Sequence, residues 1–307
     1  MTLMRKNWKG LAQVAMLLVA AGFLVALVAS QWSALRAYDW RLAPGWALLA
    51  LVGLEITWLF ELDTWRMILA GLGAPLRYRQ AAPIWFLSNI VRYIPGNIWQ
   101  FLGMAELAHE AGAPRLVTLT SIVLHQVIST AVGVALAACY FALFDAGDWL
   151  RTLRPLLLLM PLGLLLLQPR ILEGALNWLL RKVKRPPIRV LLTWRQIWLL
   201  IGRYVIVWVM MGLSFAALVR ALTPIDWPAV PYLVATWAAA YVIGYLTLLT
   251  PAGLGVREGA LALLLFAIMP QGVAAVIAIM ARLWMVAGEA LGVGAALVVR
   301  GQSWRRE

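Results

Sequence analysis

An arginine and a glutamate, Arg257 and Glu258, stand side by side just after three helix-breaking residues, Pro251, Gly253 and Gly255, in an otherwise apolar run. Arg257 offers a planar fork of donors that matches a phosphate or carboxylate, and Glu258 offers acceptor oxygens or a titratable proton. A helix restarting after the glycines presents N–H groups and the positive end of its dipole to the same place. The chemistry this suits is anion capture with charge compensation.

A second set has the same make-up. Asn89, Arg92, Asn97 and Gln100 surround Pro95 and Gly96, and Glu106 follows on the next arm. Arg92 and Arg257 are the phosphate-holding candidates, with the helix ends after Pro95-Gly96 and Gly253-Gly255 adding donors. Glu106 and Glu258 admit two roles, as counter-ions for the arginines or as proton carriers. Arg282 and Glu289, seven residues apart, lie about two turns apart on one helix, where Gly288 and Gly292 permit close packing. They join the charge-balance set. Glu55 is a further lining candidate near the middle of its span, whereas Glu61, Asp63 and Arg66 form an interfacial charge network. His125 is expected to be satisfied by a neighbouring helix.

The chain that positions these groups is 64% hydrophobic and 13% charged over 307 residues. That composition belongs to a polytopic membrane protein. Its apolar runs are each about 20 residues, the length of an α-helical crossing, and none alternates as a barrel strand would. The expected fold is an all-α polytopic membrane protein of about eight transmembrane helices, with two broken or re-entrant segments and a possible internal repeat. Spans read at 11–30, 45–68, 115–143, 152–168, 196–219, 229–249 and 271–299, with broken segments at 81–110 and 250–269. The domain expected is a single integral membrane domain over 1–307, with repeat halves near 1–150 and 151–307. Interrupted segments in corresponding halves point to a transporter-like site at the repeat interface.

Leu11 to Ser30 is too long for the core of a signal peptide, and no cleavage site ends it, so it reads as a retained first span. One cysteine, Cys139, excludes an intramolecular disulfide and reads as a small core residue. With two histidines, His109 and His125, the chain suggests no metal, and nothing in it suggests a cofactor.

The net charge of +13 sits in short connections, as the positive-inside rule expects, so it implies no nucleic acid. Arg5, Lys6 and Lys9 precede the first span, and Arg170, Arg181, Lys182, Lys184, Arg185, Arg189 and Arg195 fill one loop. Asp145 and Asp148 mark the opposite side. These place the N-terminus in the cytoplasm and the chain in a bacterial inner membrane. Within the basic loop, Ile171 to Val183 is spaced as a helix lying in the interface, ending at Pro186-Pro187.

The sequences Arg92-Tyr93-Ile94-Pro95-Gly96-Asn97-Ile98-Trp99 and Pro251-Ala252-Gly253-Leu254-Gly255-Val256-Arg257-Glu258-Gly259 together resemble the flippase-like membrane domain of the lysylphosphatidylglycerol synthase family. The resemblance covers essentially the whole chain. It implies broken helices at Pro95-Gly96 and at Pro251, Gly253, Gly255, Arg257 and Glu258, and a role in moving modified lipids or lipid-linked products between leaflets. Bifunctional members carry an aminoacyltransferase domain after the membrane region. This chain ends at Glu307, so tRNA-dependent lipid synthesis is not expected.

The function expected is therefore a lipid translocator. Its substrate carries a phosphate-containing headgroup, and no ATP hydrolysis drives it, since no P-loop sequence is present. Two rivals remain open on the sequence. One is a membrane enzyme acting on a lipid-linked sugar or phosphate, for which Glu55, Asp63, Glu106 and Glu258 are the available acids. The other is a membrane partner subunit of a biosynthetic enzyme, docked through the basic loop.

Overall fold

A computed structural model of the chain describes residues 29, 32–90, 99–143, 154–182, 184, 187, 192–247, 253 and 255–303. These residues form helices and no strand. In chain order they are α1 (Trp32–Ala37), α2 (Pro44–Gly71), α3 (Tyr78–Ile90), α4 (Trp99–Glu110), α5 (Arg115–Leu143), α6 (Arg154–Leu159), α7 (Pro169–Lys182), α8 (Trp194–Leu222), α9 (Val230–Leu246), α10 (Val256–Leu265) and α11 (Gln271–Ser303). Five are long and apolar enough to cross a membrane: α2, α5, α8, α9 with its preceding 3₁₀ turn, and α11. They correspond to the spans expected at 45–68, 115–143, 196–219, 229–249 and 271–299. The span expected at 11–30 lies outside the described residues apart from residue 29.

The span expected at 152–168 takes a different form. α6 has six α-helical residues and continues as an eight-residue 3₁₀ helix, Met160–Leu167. Pro161 has no N–H to give an α-helical carbonyl, and Gly163 weakens the helix two residues later. The tighter 3₁₀ winding rises further per residue, so this piece reaches about 25 Å with few residues.

The two broken segments have short arms. α3 and α4 contain 13 and 12 residues, and α10 contains 10. α10, with described residues at both ends, spans about 15 Å, too little to cross a hydrocarbon core of about 30 Å. At the end of α4, Gly112 has φ +95° and Ala113 N–H reaches back to Ala108 O. That cap turns the chain sharply into α5.

The chain forms two compact units that interleave in sequence. One draws its described residues from Met1–Leu54 and Met211–Gly288, the other from Glu55–Val91, Trp99–Met210 and Glu289–Glu307. In the first, small residues let helices approach: a side chain at Gly212 would meet Val234 Cα at 2.6 Å. Phe215 and Trp284 flank the buried ring of Trp237, with centroids 4.9 and 5.5 Å away. In the second, Trp208 fills the space a Gly133 side chain would take and donates to Ser129 O at 2.9 Å. Trp65, fully buried, donates to Ser121 Oγ. Cys139 is exposed rather than in the core, on a helix whose outward face meets lipid.

Candidate functional site

The site begins with two glycines that fold back on α9. Gly253 and Gly255 have φ of +68° and +82°, a region in which other residues are strained. A side chain at Gly253 would lie 2.8 Å from Gly244 O, and one at Gly244 would lie 2.6 Å from Arg257 Cβ. These two glycines let the start of α10 sit directly against the end of α9. At its other end, the Tyr232 hydroxyl donates to Leu264 O, so α9 holds both ends of α10.

That packing buries the charged pair. Arg257 and Glu258 are 6% and 4% exposed. The Arg257 guanidinium lies over Trp237 and Tyr241, 5.7 and 5.5 Å from their ring centres. Those rings are four residues apart on α9 and so share one face. Stacking of this kind suits a guanidinium, which is weakly hydrated and planar.

Glu258 divides its oxygens between two tasks. Oε2 accepts the Gly255 N–H at 2.7 Å, capping the helix that carries it. Oε1 lies 3.6 Å from Arg257 Nη2 and 3.6 Å from Arg282 Nη1. Two guanidiniums and one carboxylate thus converge, and these three side chains sum to one positive charge. Of the N–H donors expected at this helix start, that of Gly255 is taken by Glu258. The carboxylate occupies the place an anionic ligand would seek.

Arg282 reaches the cluster from α11, while Glu289, seven residues further and 7% exposed, belongs to the second unit. There the ring of Phe86 occupies the space beside Gly292, the close packing expected on that face.

The first break is only partly visible. Arg92, Pro95, Gly96 and Asn97, and likewise Pro251 of the second motif, lie outside the described residues. Its flanks meet as expected: Gln100 Nε2 donates to Asn89 Oδ1 at 2.7 Å across the interruption. Glu106 does not join a buried cluster. Half exposed, it receives two 2.7 Å hydrogen bonds from Arg115 across the α4–α5 turn, which hold its carboxyl below the usual carboxylate range. The Gly112 turn brings α5 back beside α4 and sets that pairing.

A second polar cluster, in the second unit, was only partly anticipated. The Asp63–Arg66 pair, 2.7 Å, is joined by Arg203, whose Nη2 lies 2.8 Å from Asp63 and whose Nε donates to Thr64. Arg66 also donates twice to Leu76 O. His125 is satisfied by a neighbouring helix, through Tyr204 of α8. Arg203 and Tyr204 sit in a strongly apolar span, and nothing in their own stretch marks their partners.

Trp237, Tyr241 and Gly244 escaped sequence reading for the same reason. An aromatic pair at helical spacing and a glycine are ordinary in a membrane helix, and only the fold shows that they cradle Arg257.

Interrupted helices, buried ion pairs at a helix restart and five membrane-length spans define an integral membrane protein of the all-α polytopic class. The chain belongs to the family described as the lysylphosphatidylglycerol synthase TM region, which matches residues 12–292. That is a membrane lipid-related family. No curated protein and no solved structure matches the chain.

Proposed function

We propose that this protein moves a phosphate-bearing membrane lipid between leaflets, using the cluster at the start of α10 as one wall of the headgroup site. The observation that carries this reading is the buried meeting of Arg257, Arg282 and Glu258 beside an interrupted helix. A buried charge in a bilayer is expensive unless paired, and such groups mark substrate paths. Glu258 holds the arginines together when the site is empty. A lipid phosphate displaces it by offering the guanidiniums more oxygens in a forked geometry. The acyl or isoprenoid tails stay in the bilayer. The basic connections support an N-terminus on the cytoplasmic side of an inner membrane.

Reconstitution into liposomes with labelled phospholipids and polyprenyl phosphates tests this. The expected result is movement of an unchanged lipid, slowed about tenfold or more by Arg257→Ala or Arg282→Ala, as loss of a charge-assisted contact implies. Glu258→Gln is expected to slow release and hence turnover. Lipid that is chemically converted instead would identify an enzyme, and equal movement by all variants would remove the cluster from the mechanism.

A further inference from the structure

Three titratable side chains from three helices meet in the second unit, away from the α10 cluster. The Nδ1 of His125 is hydrogen-bonded to the Tyr204 hydroxyl, and Nε2 lies 3.7 Å from Glu61 Oε1. His125 is 8% exposed and Tyr204 is fully buried. Their positions along the helices coincide. Glu61 is ten residues from the end of α2 at Gly71, and His125 and Tyr204 are each ten residues from the starts of α5 at Arg115 and α8 at Trp194. At 1.5 Å per residue all three lie about 15 Å from those helix ends, inside three membrane-length helices. Ionisable groups at that depth are rare, and they mark ion or proton paths.

We propose that Glu61, His125 and Tyr204 form a proton-binding site in the membrane interior. The chemistry follows from imidazole having two nitrogens that exchange roles. In the deprotonated state Glu61 is a carboxylate facing an Nε2–H, and Nδ1 accepts the Tyr204 hydroxyl. The site then carries one negative charge. One proton is taken up in all: the tyrosine proton passes to Nδ1 and is replaced by the incoming one, while the Nε2 proton passes to Glu61. An O–H on Glu61 and an N–H at Nδ1 form, the Nε2–H bond breaks, and the tyrosine O–H is replaced. The product is a neutral acid facing a neutral imidazole whose Nδ1–H points at the tyrosine oxygen. One proton is stored and no imidazolium is made, which is what an apolar interior favours.

The groups around the site fit this role. α2 supplies Glu61, with Asp63 and Arg66 in the next turn; α8 supplies Tyr204 and Arg203, the latter held by Asp63 and Thr64. α3 supplies the Trp85 ring, edge-on to His125 with centroids 5.3 Å apart, and α5 itself carries Gln126 next to His125. The arginines are tied to Asp63 and to Leu76 O, on the helix-end side of the triad.

The chain contains two histidines, so His109→Asn, at an exposed position, leaves His125 as the sole imidazole of the full-length protein. Imidazole ¹⁵N NMR of that protein in liposomes is expected to show one neutral tautomer replaced by the other between about pH 5 and pH 8. Glu61→Gln is expected to freeze a single tautomer. One tautomer across the whole range in the His109→Asn protein alone overturns the site, as does a switch that Glu61→Gln leaves unchanged.

Coupling of this proton to lipid movement rests on the translocation reading. For one coupled proton, a gradient of about one pH unit biases labelled phosphatidylglycerol between leaflets by a factor of about ten, and Glu61→Gln removes the bias. An even distribution despite rapid movement overturns coupling. If neither phosphatidylglycerol nor a labelled polyprenyl phosphate moves, translocation is overturned, and the tautomer switch then decides the proton site by itself.

Discussion

At the residue scale, the α10 cluster depends on what is missing at Gly244 as much as on what Arg257 supplies. Gly244→Ala places a carbon 2.6 Å from Arg257 Cβ, with backbone atoms on both sides of the contact. Overpacking of this sort destabilises by about 1–3 kcal/mol, so the thermal midpoint in detergent is expected to fall. Gly259→Ala is the matched control. No atom lies within 4 Å of the added carbon, and in a helix it is expected to be neutral or to stabilise by up to about 1 kcal/mol. Arg257→Lys keeps the charge but loses the fork and the stack over Trp237 and Tyr241, and its lipid movement is expected to drop about tenfold in liposomes. Arg257 and Glu258 were legible because opposite charges in an apolar run demand a reason. Gly244 and the two rings were not, because their role exists only once α9 and α10 are packed. The capping bond of Glu258 lies between these cases, since a glutamate three residues after a glycine at a helix start is a capping pattern.

At the element scale, α7 shows how far spacing alone can carry. Leu172, Leu176 and Leu180 are buried at four-residue intervals, while Ile171 and Trp178 are exposed and Lys182 Nζ sits 3.9 Å over the Trp178 ring. A helix with one leucine face inward, a tryptophan outward and Arg181 and Lys182 at its end suits the bilayer interface. Spin labels test it in a Cys139→Ser background, since Cys139 is the sole cysteine. Labels at Ile171→Cys and Trp178→Cys are expected at interfacial depth by power saturation, and one at Arg181→Cys in water. Labels equally accessible to aqueous quencher would place α7 in a water-exposed connector. Long spans were legible for a similar reason, since an apolar stretch of the right length has few alternatives in a bilayer. The α6 piece keeps the apolar length of a span while Pro161 and Gly163 alter its winding. Apolarity reports the environment, whereas hydrogen-bonding capacity decides the helix type.

Across the whole chain, the pairing of α2 with α8 bears on which connections share a membrane face. Asp63, eight residues from the end of α2, pairs with Arg203, nine residues from the start of α8. At the other ends, Arg41 and Ala43 N–H donate to Leu222 and Ala221 carbonyls, and Tyr38 is hydrogen-bonded to Thr223. Within the first unit Gly53 also lies against Ser214, so the start of α2 runs antiparallel to the end of α8, and Pro75 and Thr193 are expected on one membrane side with Ala43 and Asp226 on the other. Charge agrees with this sidedness: Arg77, Arg79, Arg115 and Arg195 cluster with the first pair, whereas Asp39, Arg41 and Asp226 accompany the second. Cysteines placed singly at Pro75 and Thr193, both exposed, again with Cys139→Ser, are expected to react with an impermeant maleimide only from the cytoplasmic side of oriented vesicles. Cysteines at Ala43 and Asp226 are expected to react only from the opposite side. Labelling of Pro75 and Thr193 from different sides would break the antiparallel pairing, and with it the common depth of Glu61, His125 and Tyr204, because that depth is counted from these same helix ends.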